Sequence, residues 1–306
     1  MKLVYHKDPA GNFGDDLNPW LWGELLGPEF FDGDERLLFY GVGTLLSPRT
    51  VRRPGKKIVF GSGAASRARI RLDCSFDVRC VRGPLTAKAL GLREEFAVTD
   101  PACLVADTSA GRRDAPKEYA VSVIPHHLSV GMLDWDDVSA RCGMRWIDPR
   151  SPFLRVFEEI RRSRLVLTES LHGAVVADAF RVPWIPIRYS HRFLEFKWRD
   201  WAESLGIDLA IAELPAAFTG PLSPAARAKN LFRRALGALA ANRAWSRRPC
   251  RRSTADEVAA FARALSRVAR EVAPRLSSDA ALERALGRLR DKLDELRVRR
   301  EGPRPV

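Results

Sequence analysis

Residues 163–187 read SRLVLTESLHGAVVADAFRVPWIPI, and this stretch decides the fold class. An apolar run at 165–168 meets a polar turn, a helical stretch of small residues follows at 171–180, and a second apolar run occupies 184–187. Short apolar runs that are bounded by turns and separated by a helix are typical of parallel strands in a β-α-β unit. The stretch therefore predicts an α/β fold with a parallel sheet.

The same alternation extends in both directions along the chain. The predicted strands lie at 2–6, 37–42, 57–60, 76–81, 97–98, 119–124, 144–147, 165–168 and 184–187, and the predicted helices at 16–26, 84–90, 134–141, 152–163, 171–180 and 192–205. The polar stretch 108–117, TSAGRRDAPK, is a predicted linker. We therefore expect two facing Rossmann-like domains, residues 1–110 and 117–215, with a ligand cleft at the carboxyl ends of their strands.

The composition changes near residue 220, beyond which Ala, Leu and Arg predominate. Helical periodicity predicts three further helices, at 225–246, 255–273 and 279–300. Four arginines lie outside the apolar face of the first of them: Arg227, Arg233, Arg234 and Arg243. Residues 220–306 hold 21 Lys and Arg against 9 Asp and Glu, which is +12 of the chain's net charge of +13. We therefore expect a nearly neutral body with a basic helical tail.

The composition also indicates a compartment. The sequence starts MKLVYH, without an apolar signal region, and no uncharged apolar run approaches the roughly 18 residues of a membrane-spanning helix. Its five cysteines are far apart, with no CxxC pair, which argues against a disulfide framework and against a zinc site. These features predict a cytoplasmic protein.

Two motifs of the first predicted domain place polar groups after strands. In NFGDDLN, residues 12–18, Asp15 is a candidate base for a sugar hydroxyl, and the alternative is a carboxylate that only caps the next helix. Gly61, Ser62 and Gly63 offer backbone amides to an anion, but a plain strand-to-helix turn fits them equally well. Each motif alone leaves both interpretations open.

Arg82 and His126 also follow predicted strands. Arg82 precedes a helix N-terminus, and the two would reinforce each other as an anion site, although an ordinary surface arginine fits as well. His126 would bind phosphate or carboxylate or carry a proton, and a histidine satisfied within its loop is the alternative. The adjacent histidines lack acidic partners at ligand spacing, so we expect no metal.

His172 is the strongest catalytic candidate. It lies in TESLHG, where a buried strand turns into an apolar helix, and polar groups at such a boundary are costly unless partners or ligands satisfy them. Ser170 suits a helix cap as well as a substrate contact, but capping does not explain His172. Downstream, Arg188 and Lys197 are candidate anion contacts in an aromatic and basic segment whose tryptophans pack a helix onto the sheet.

Together these segments resemble the polysaccharide pyruvyltransferase family, including its ketal-forming exopolysaccharide members. The resemblance rests on NFGDDLN, GSG, VRGPLTAKALG, VTDPACL and the stretch 163–187, in consistent order across residues 3–205. It implies a GT-B-like pair of domains, phosphoenolpyruvate as the donor with no further cofactor, and a polyprenyl-diphosphate-linked oligosaccharide as the acceptor. The family's histidine falls on His172, and its basic donor-binding position falls on Arg82.

The chemistry that the resemblance implies accounts for these residue types. Phosphoenolpyruvate carries a phosphate and a carboxylate, which call for arginines, amides or helix N-termini. We expect His172 as the acid or base, Asp15 as a base, and Arg82 with His126 as donor ligands. The basic tail would hold the enzyme on the anionic inner face of the cytoplasmic membrane, where such an acceptor lies, and the alternative is that its arginine-rich helices are only solvated faces.

Three other hypotheses remain open on the sequence alone. A GT-B glycosyltransferase that uses a nucleotide sugar would share the fold and the cleft. A nucleic-acid-binding role for the tail is favoured by charge alone, since no helix-turn-helix, RNP or zinc pattern accompanies it, so we expect no nucleic acid partner. A catalytically inactive scaffold would tolerate the loss of His172.

Overall fold

Two parallel sheets form the core of the computed structural model, which describes residues 1–239, 245 and 247–301. The first sheet contains β1 (Lys2–Val4), β2 (Leu37–Tyr40), β3 (Lys56–Phe60) and β4 (Phe76–Cys80), in the order β1-β2-β3-β4. The second contains β5 (Ser122–Ile124), β6 (Arg145–Trp146), β7 (Val166–Thr168), β8 (Trp184–Arg188) and β9 (Ala212–Glu213), in the order β6-β5-β7-β8-β9. Every neighbouring pair is parallel, which confirms the predicted α/β class.

The helices lie between and beyond these strands. They are α1 (Phe13–Asp16), α2 (Asn18–Leu26), α3 (Pro48–Arg52), α4 (Pro84–Leu90), α5 (Trp135–Cys142), α6 (Phe153–Arg161), α7 (Leu171–Ala179), α8 (Glu195–Ser204), α9 (Pro224–Leu239), α10 (Ala255–Glu271) and α11 (Asp279–Glu301). Short 3-10 helices occupy Pro28–Phe30, Glu94–Phe96, Pro101–Asp107 and His127–Met132. No helix of the described part is long and apolar enough to cross a membrane.

Most of the predicted elements are present, with a few differences. The predicted helix at 16–26 is divided into α1 and α2, because Pro19 occupies the first turn of α2, where its missing N–H costs no hydrogen bond. The predicted strand at 97–98 is reduced to one bridge between Val81 and Ala97. The sequence did not predict α3 or the two-residue edge strand β9. The predicted linker 108–117 joins the two sheets, and the limits of the two domains remain a prediction.

The helix α7 is apolar on all sides because it is packed on all sides. It lies between β7 and β8 of the second sheet and the 3-10 helix Pro101–Asp107 that follows the first. Four consecutive residues at its centre are wholly buried: Ala174, Val175, Val176 and Ala177. This central position sets the start of α7, and therefore His172, at the junction of the two sheets.

Two helices from the predicted tail belong to the packed body. Helix α10 packs against α5 and buries Phe261 and Leu265. Helix α11 buries Leu289 and Leu293 beside the 3-10 helix Pro101–Asp107. In contrast, α9 is exposed along nearly all of its length, with a glycine as its one buried residue. Arg243, which the sequence placed on the polar face of this helix, lies outside the described residues.

Candidate active site

The polar motifs of the two sheets meet at the carboxyl ends of the strands. The loop after β1 leads into α1, and the backbone N–H of Phe13 donates to the carbonyl of Pro149, which follows β6, at 2.9 Å. Arg82 follows β4, His126 follows β5, and His172 follows β7. Ligands of parallel α/β sheets bind beyond these ends, so this junction is the candidate active site.

Gly14 allows a close approach between the two sheets at this junction. A Cβ atom placed on Gly14 would lie 1.9 Å from Nδ1 of His172, which no nonbonded pair of atoms tolerates. The glycine of NFGDDLN therefore provides the space that the imidazole of SLHG occupies. Two of the predicted motifs, one from each sheet, thus form a single site.

His172 faces Asp100, which precedes the 3-10 helix Pro101–Asp107. The His172 side chain is 13% exposed and Asp100 is wholly buried, and Nε2 lies 3.9 Å from Oδ2. Neither of these two atoms has a hydrogen-bond partner within the described part of the chain. Burial, together with the charges of Lys197 and Arg82, lowers the pKa of His172 to about 3, so the imidazole is neutral at pH 7.

Two buried carboxyl groups in this cluster hold protons more tightly than usual. Burial raises the pKa of Asp100 to about 6, although the charge of Arg82 opposes the rise. Burial also raises the pKa of Asp15 to about 6, against the charges of His6 and Lys197. Carboxyl groups with such values exchange protons near neutral pH, as an acid or base catalyst requires.

Lys197 of α8 extends from the second sheet toward these carboxyl groups. Burial, and then the charge of Arg82, lower its pKa to about 8, while the charges of Asp15, Glu169 and Asp100 raise it. Over the residues described, the Lys197 ammonium makes no hydrogen bond and no close ion pair. It is a cation in a cluster of acids and histidines with capacity for an anionic ligand.

Glu169 organises the loops of the second sheet, a role that the sequence did not predict. Its buried carboxylate accepts hydrogen bonds from the backbone N–H of His126 at 3.3 Å, from the hydroxyl of Ser129, and from the N–H of Ser190 at 3.0 Å. These donors belong to the loops after β5 and β8. Glu169 therefore fixes three strand-end loops against one another.

Arg82 lies within the protein, between the two sheets. Its side chain and that of Asp200 are both wholly buried, and Nε donates to Oδ2 of Asp200 at 2.9 Å. The two terminal nitrogens donate to Thr44 Oγ1 at 2.8 Å and to the Ala64 carbonyl at 2.7 Å. The guanidinium thus has internal partners, and it reaches the cluster through its electric field, which lowers the pKa of His172 and of Lys197.

The GSG tripeptide makes room for this arrangement. A Cβ on Gly63 would lie 2.1 Å from Cζ of Arg82, and Gly61, at φ +81°, would place a Cβ 2.4 Å from Pro101. Ser62 is wholly buried, and its hydroxyl donates to the Gly41 carbonyl. In this structure the three residues therefore serve close packing between β3, Arg82 and Pro101.

The other predicted residues divide between the site and its edge. Nδ1 of His126 accepts from the N–H of Leu128 at 3.2 Å, its ring lies 4.4 Å from that of His127, and burial lowers its pKa to about 2. The backbone of Ser170 is held by the Thr168 hydroxyl beside the start of α7. Arg188 is ion-paired with Glu195 and Glu213, outside the cluster. Its guanidinium is therefore not available to an anion without breaking these pairs.

The described residues include no group of three or more His, Cys, Asp or Glu side chains that could hold a metal ion.

The cluster consists of Asp15, Asp100, His172 and Lys197. Of the residues at this site, the sequence did not predict Asp100 or Glu169. VTDPACL contained a signal, because an aspartate before an apolar segment is expected to pair or cap. Its side chain does cap, with Oδ1 accepting from the Ala102 N–H at 3.0 Å, and its other oxygen faces His172.

The polysaccharide pyruvyl transferase family model matches residues 30–191, which is more than half of the chain. The chain belongs to this family. It is therefore a transferase enzyme, a polysaccharide pyruvyltransferase, as the resemblance of the motifs implied. The match includes Arg82, Asp100, Glu169 and His172 of this pyruvyltransferase.

A curated relative supports the same assignment. The succinoglycan biosynthesis protein ExoV of Rhizobium meliloti (strain 1021) is 40% identical to this pyruvyltransferase over 221 residues, which cover 71% of this chain and 69% of the relative. The predicted membership of the polysaccharide pyruvyltransferase family is thus confirmed.

Proposed function

We propose that this pyruvyltransferase moves the pyruvyl group of phosphoenolpyruvate onto a sugar of a lipid-linked polysaccharide repeat unit. One observation carries the proposal: Lys197 without a close partner lies in the same cluster as His172 and Asp100, whose facing atoms are also unsatisfied within the described chain. A small anion with a phosphate and a carboxylate would satisfy the cation, and a sugar hydroxyl that donates to Nε2 would satisfy the imidazole.

The donor is held mainly by charge. Lys197 binds one of its two anionic groups, and the field of Arg82 adds to the attraction while its guanidinium stays with Asp200. Binding of the dianion compensates the two positive charges that depress the pKa of His172, so this pKa rises when the donor enters. The imidazole is thereby adjusted to carry a proton during the reaction.

The transfer needs four proton movements. The raised pKa of Asp15, about 6, keeps a fraction of this carboxyl group protonated near pH 7, and the protonated form donates to the methylene carbon of phosphoenolpyruvate, which generates an oxocarbenium-like centre at C2. Asp15 is thus the acid of this step, whereas its motif suggested a base.

His172 takes the proton of the attacking sugar hydroxyl through Nε2, and Asp100 stabilises the imidazolium that forms. Phosphate then leaves C2 with the electron pair of the C–O bond. A second hydroxyl of the same sugar adds to C2 and gives its proton to the Asp15 carboxylate, which closes the cyclic ketal and restores the acid. The imidazolium of His172 returns to its neutral form by giving its proton to the departing phosphate.

The proposed function also predicts how the domains, the acceptor and the membrane are arranged around the cluster. Residues 1–110 and 117–215 face each other as two GT-B-like domains, with the cluster in the cleft between them. The acceptor is an oligosaccharide on a polyprenyl diphosphate at the inner face of the cytoplasmic membrane, and no cofactor is consumed. The described part of α9 supports a peripheral position, because it carries basic residues and no acidic ones.

The proposal is tested with the purified chain, ¹³C-labelled phosphoenolpyruvate and extracted lipid-linked oligosaccharides. We expect the acceptor to gain the mass of one pyruvate less one water, with equimolar release of phosphate. His172→Ala should lower the rate by about 100- to 10,000-fold. The matched control is Gly23→Ala, because a Cβ at Gly23 meets nothing within 4 Å.

An unchanged acceptor mass with phosphoenolpyruvate, and a gain of one sugar from a nucleotide sugar, would identify a glycosyltransferase instead. Full activity of His172→Ala would remove His172 from the mechanism.

A further inference from the structure

An arginine-rich pocket of about 410 Å³ lies between α9 and the end of β8, apart from the cluster of Asp15, Asp100, His172 and Lys197. Its floor is apolar, with Met132, Tyr189 and Phe218. Five arginines and one glutamate supply the charged groups of its lining: Arg227, Arg234, Arg247, Arg248, Arg251 and Glu257. A concave surface of this kind concentrates positive charge where a discrete anion could enter.

The acids around the pocket do not neutralise all of this charge. Both terminal nitrogens of Arg251 donate to Glu257, at 2.8 and 2.6 Å, and Arg247 is ion-paired with Glu213. The guanidinium groups of Arg227 and Arg248 have no hydrogen-bond or ion-pair partner among the residues described, and Nε of Arg248 is buried without one. A bound anion would give both guanidinium groups a partner and would supply an acceptor for Nε of Arg248.

The pocket continues electrostatically into the active site. Burial and the charges of Arg233 and Arg192 lower the pKa of Arg248. The charge of Arg192 also contributes to the lowered pKa values of His126 and His127 at the edge of the cluster. A chain of contacts also joins the two places, because Tyr189 of the pocket lining has its hydroxyl 2.8 Å from that of Ser129, which in turn donates to Glu169. One extended anionic substrate could therefore engage both.

An exposed apolar stripe runs along α9 next to the pocket. Phe232, Leu236 and Leu239 follow the helical spacing i, i+4, i+7 and are 67%, 37% and 86% exposed. Leu231, which is 52% exposed, belongs to the pocket lining itself. Large apolar side chains in a row beside basic ones are the pattern of a helix that meets lipid.

We propose that this pocket binds the diphosphate group of the lipid-linked acceptor, with the apolar stripe of α9 against the adjoining hydrocarbon chain. The inference rests on the acceptor class of the proposed function and adds the place where its anionic end is held. A concave site with two unpaired guanidinium groups suits one compact, highly charged diphosphate better than the spread headgroups of a bilayer surface. The sugar would then extend past Arg192 to His172.

The test uses farnesyl diphosphate as a short prenyl diphosphate and follows its binding to the full chain by calorimetry in detergent. We expect it to bind at least about tenfold more tightly than inorganic pyrophosphate, because the latter lacks the hydrocarbon chain. The double variant Arg227→Glu/Arg248→Glu should bind farnesyl diphosphate about 100-fold more weakly than the parent chain. The single variant Arg227→Ala, at an exposed position that folding does not require, should weaken it by about tenfold.

The matched control is Arg263→Glu/Arg267→Glu, which makes the same charge change at exposed positions of α10 outside the pocket. Its affinity for farnesyl diphosphate should equal that of the parent chain. Equal losses in the two double variants would overturn the proposal, since the effect would then be one of net charge. Unweakened binding by Arg227→Ala would also overturn it.

A competition measurement distinguishes a diphosphate ligand from a membrane lipid, and a binding measurement distinguishes the diphosphate site from the donor site. If phosphatidylglycerol dissolved in the same detergent displaces farnesyl diphosphate at equal phosphate concentration, the ligand is a lipid headgroup and the proposal fails. Binding of phosphoenolpyruvate is measured in parallel and should be unchanged in Arg227→Ala. If the parent chain binds farnesyl diphosphate but not phosphoenolpyruvate, phosphoenolpyruvate is refuted as the donor and the diphosphate pocket is supported.

Discussion

Nε2 of His172 lies 3.9 Å from Oδ2 of Asp100, and neither atom has a hydrogen-bond partner in the described structure. The two residues come from opposite sheets, since Asp100 follows the first sheet and His172 follows β7 of the second. A buried polar atom without a partner calls for an explanation, and here a ligand that enters where the two sheets meet would supply the missing partner. The pair therefore defines the centre of the candidate active site.

Asp100→Asn should slow the reaction without weakening the binding of phosphoenolpyruvate. The amide keeps the size of the side chain but removes the charge that stabilises the imidazolium of His172. We expect kcat to fall by about 100-fold with little change in KM. Steady-state kinetics checks the split, and a large rise in KM with unchanged kcat would assign Asp100 to donor binding instead.

The affinity for phosphoenolpyruvate should fall as the pH rises through about 8. Lys197 has its pKa lowered to about 8, so it is charged below this pH and neutral above it, and only the charged form attracts the anion. Asp15 and Asp100, with pKa values of about 6, are already ionised in this range. The association constant should fall about tenfold per pH unit above 8, as measured by calorimetry between pH 7 and 9.5.

Lys197→Arg is the matched variant for this pH dependence. A guanidinium stays charged throughout the range, so the variant should bind at pH 7 and show no fall above pH 8. An identical fall in the parent chain and in Lys197→Arg would assign the titration to another group.

Gly14→Ala should disturb the site and the fold together. The added Cβ would lie 1.9 Å from Nδ1 of His172, so the imidazole must move. We expect a loss of about 1–3 kcal/mol in the free energy of unfolding, measured in urea, and a loss of most activity. Gly23→Ala in α2 meets nothing within 4 Å and should stabilise the protein by about 0.5–1 kcal/mol. Equal stability of the two variants would contradict the tight approach at Gly14.

Asp200→Ala should destabilise the protein by about 3–5 kcal/mol, because it leaves the buried guanidinium of Arg82 without its counterion. Asp200 also accepts from the backbone N–H of Thr86 at 2.8 Å, so its loss affects the start of α4 as well. Asp208 is 96% exposed and lies 4.0 Å from Arg275, and Asp208→Ala should change the stability by less than about 0.5 kcal/mol. Urea unfolding of the two variants gives the comparison, and similar losses would show that Arg82 does not depend on Asp200.

The fold was largely predictable because its strands are short apolar runs with clear turns between them. The runs at 57–60 and 165–168 correspond to β3 (Lys56–Phe60) and β7 (Val166–Thr168) almost residue for residue. The strand β9 was not predicted, because its two residues, Ala212–Glu213, are too few to show an apolar run or an alternation of apolar and polar residues. Its pairing depends on the neighbouring strand β8, which a local pattern does not contain.

The site was only partly predictable, because its partners are distant in sequence. Arg82 stands at a strand end before a helix, as an anion ligand would, but its partner Asp200 is 118 residues further along the chain. Local sequence cannot reveal such a partner. His172 was predicted because its own segment offers no hydrogen-bond partner for the imidazole. In the structure, Nε2 of His172 still has no such partner among the described residues.

The chain passes between the two sheets through the linker at 108–117, through α8, which packs on α4, and again after α10, where α11 returns to pack beside the 3-10 helix Pro101–Asp107. The return is anchored on the second sheet by two backbone hydrogen bonds between Trp184 and Arg275, and on the other side by the ion pair of Arg290 with Asp107 at 2.7 Å. Removal of residues 275–301 would therefore take away contacts on both sheets, so the C-terminal helix helps to hold together the junction at which His172 and Asp100 meet.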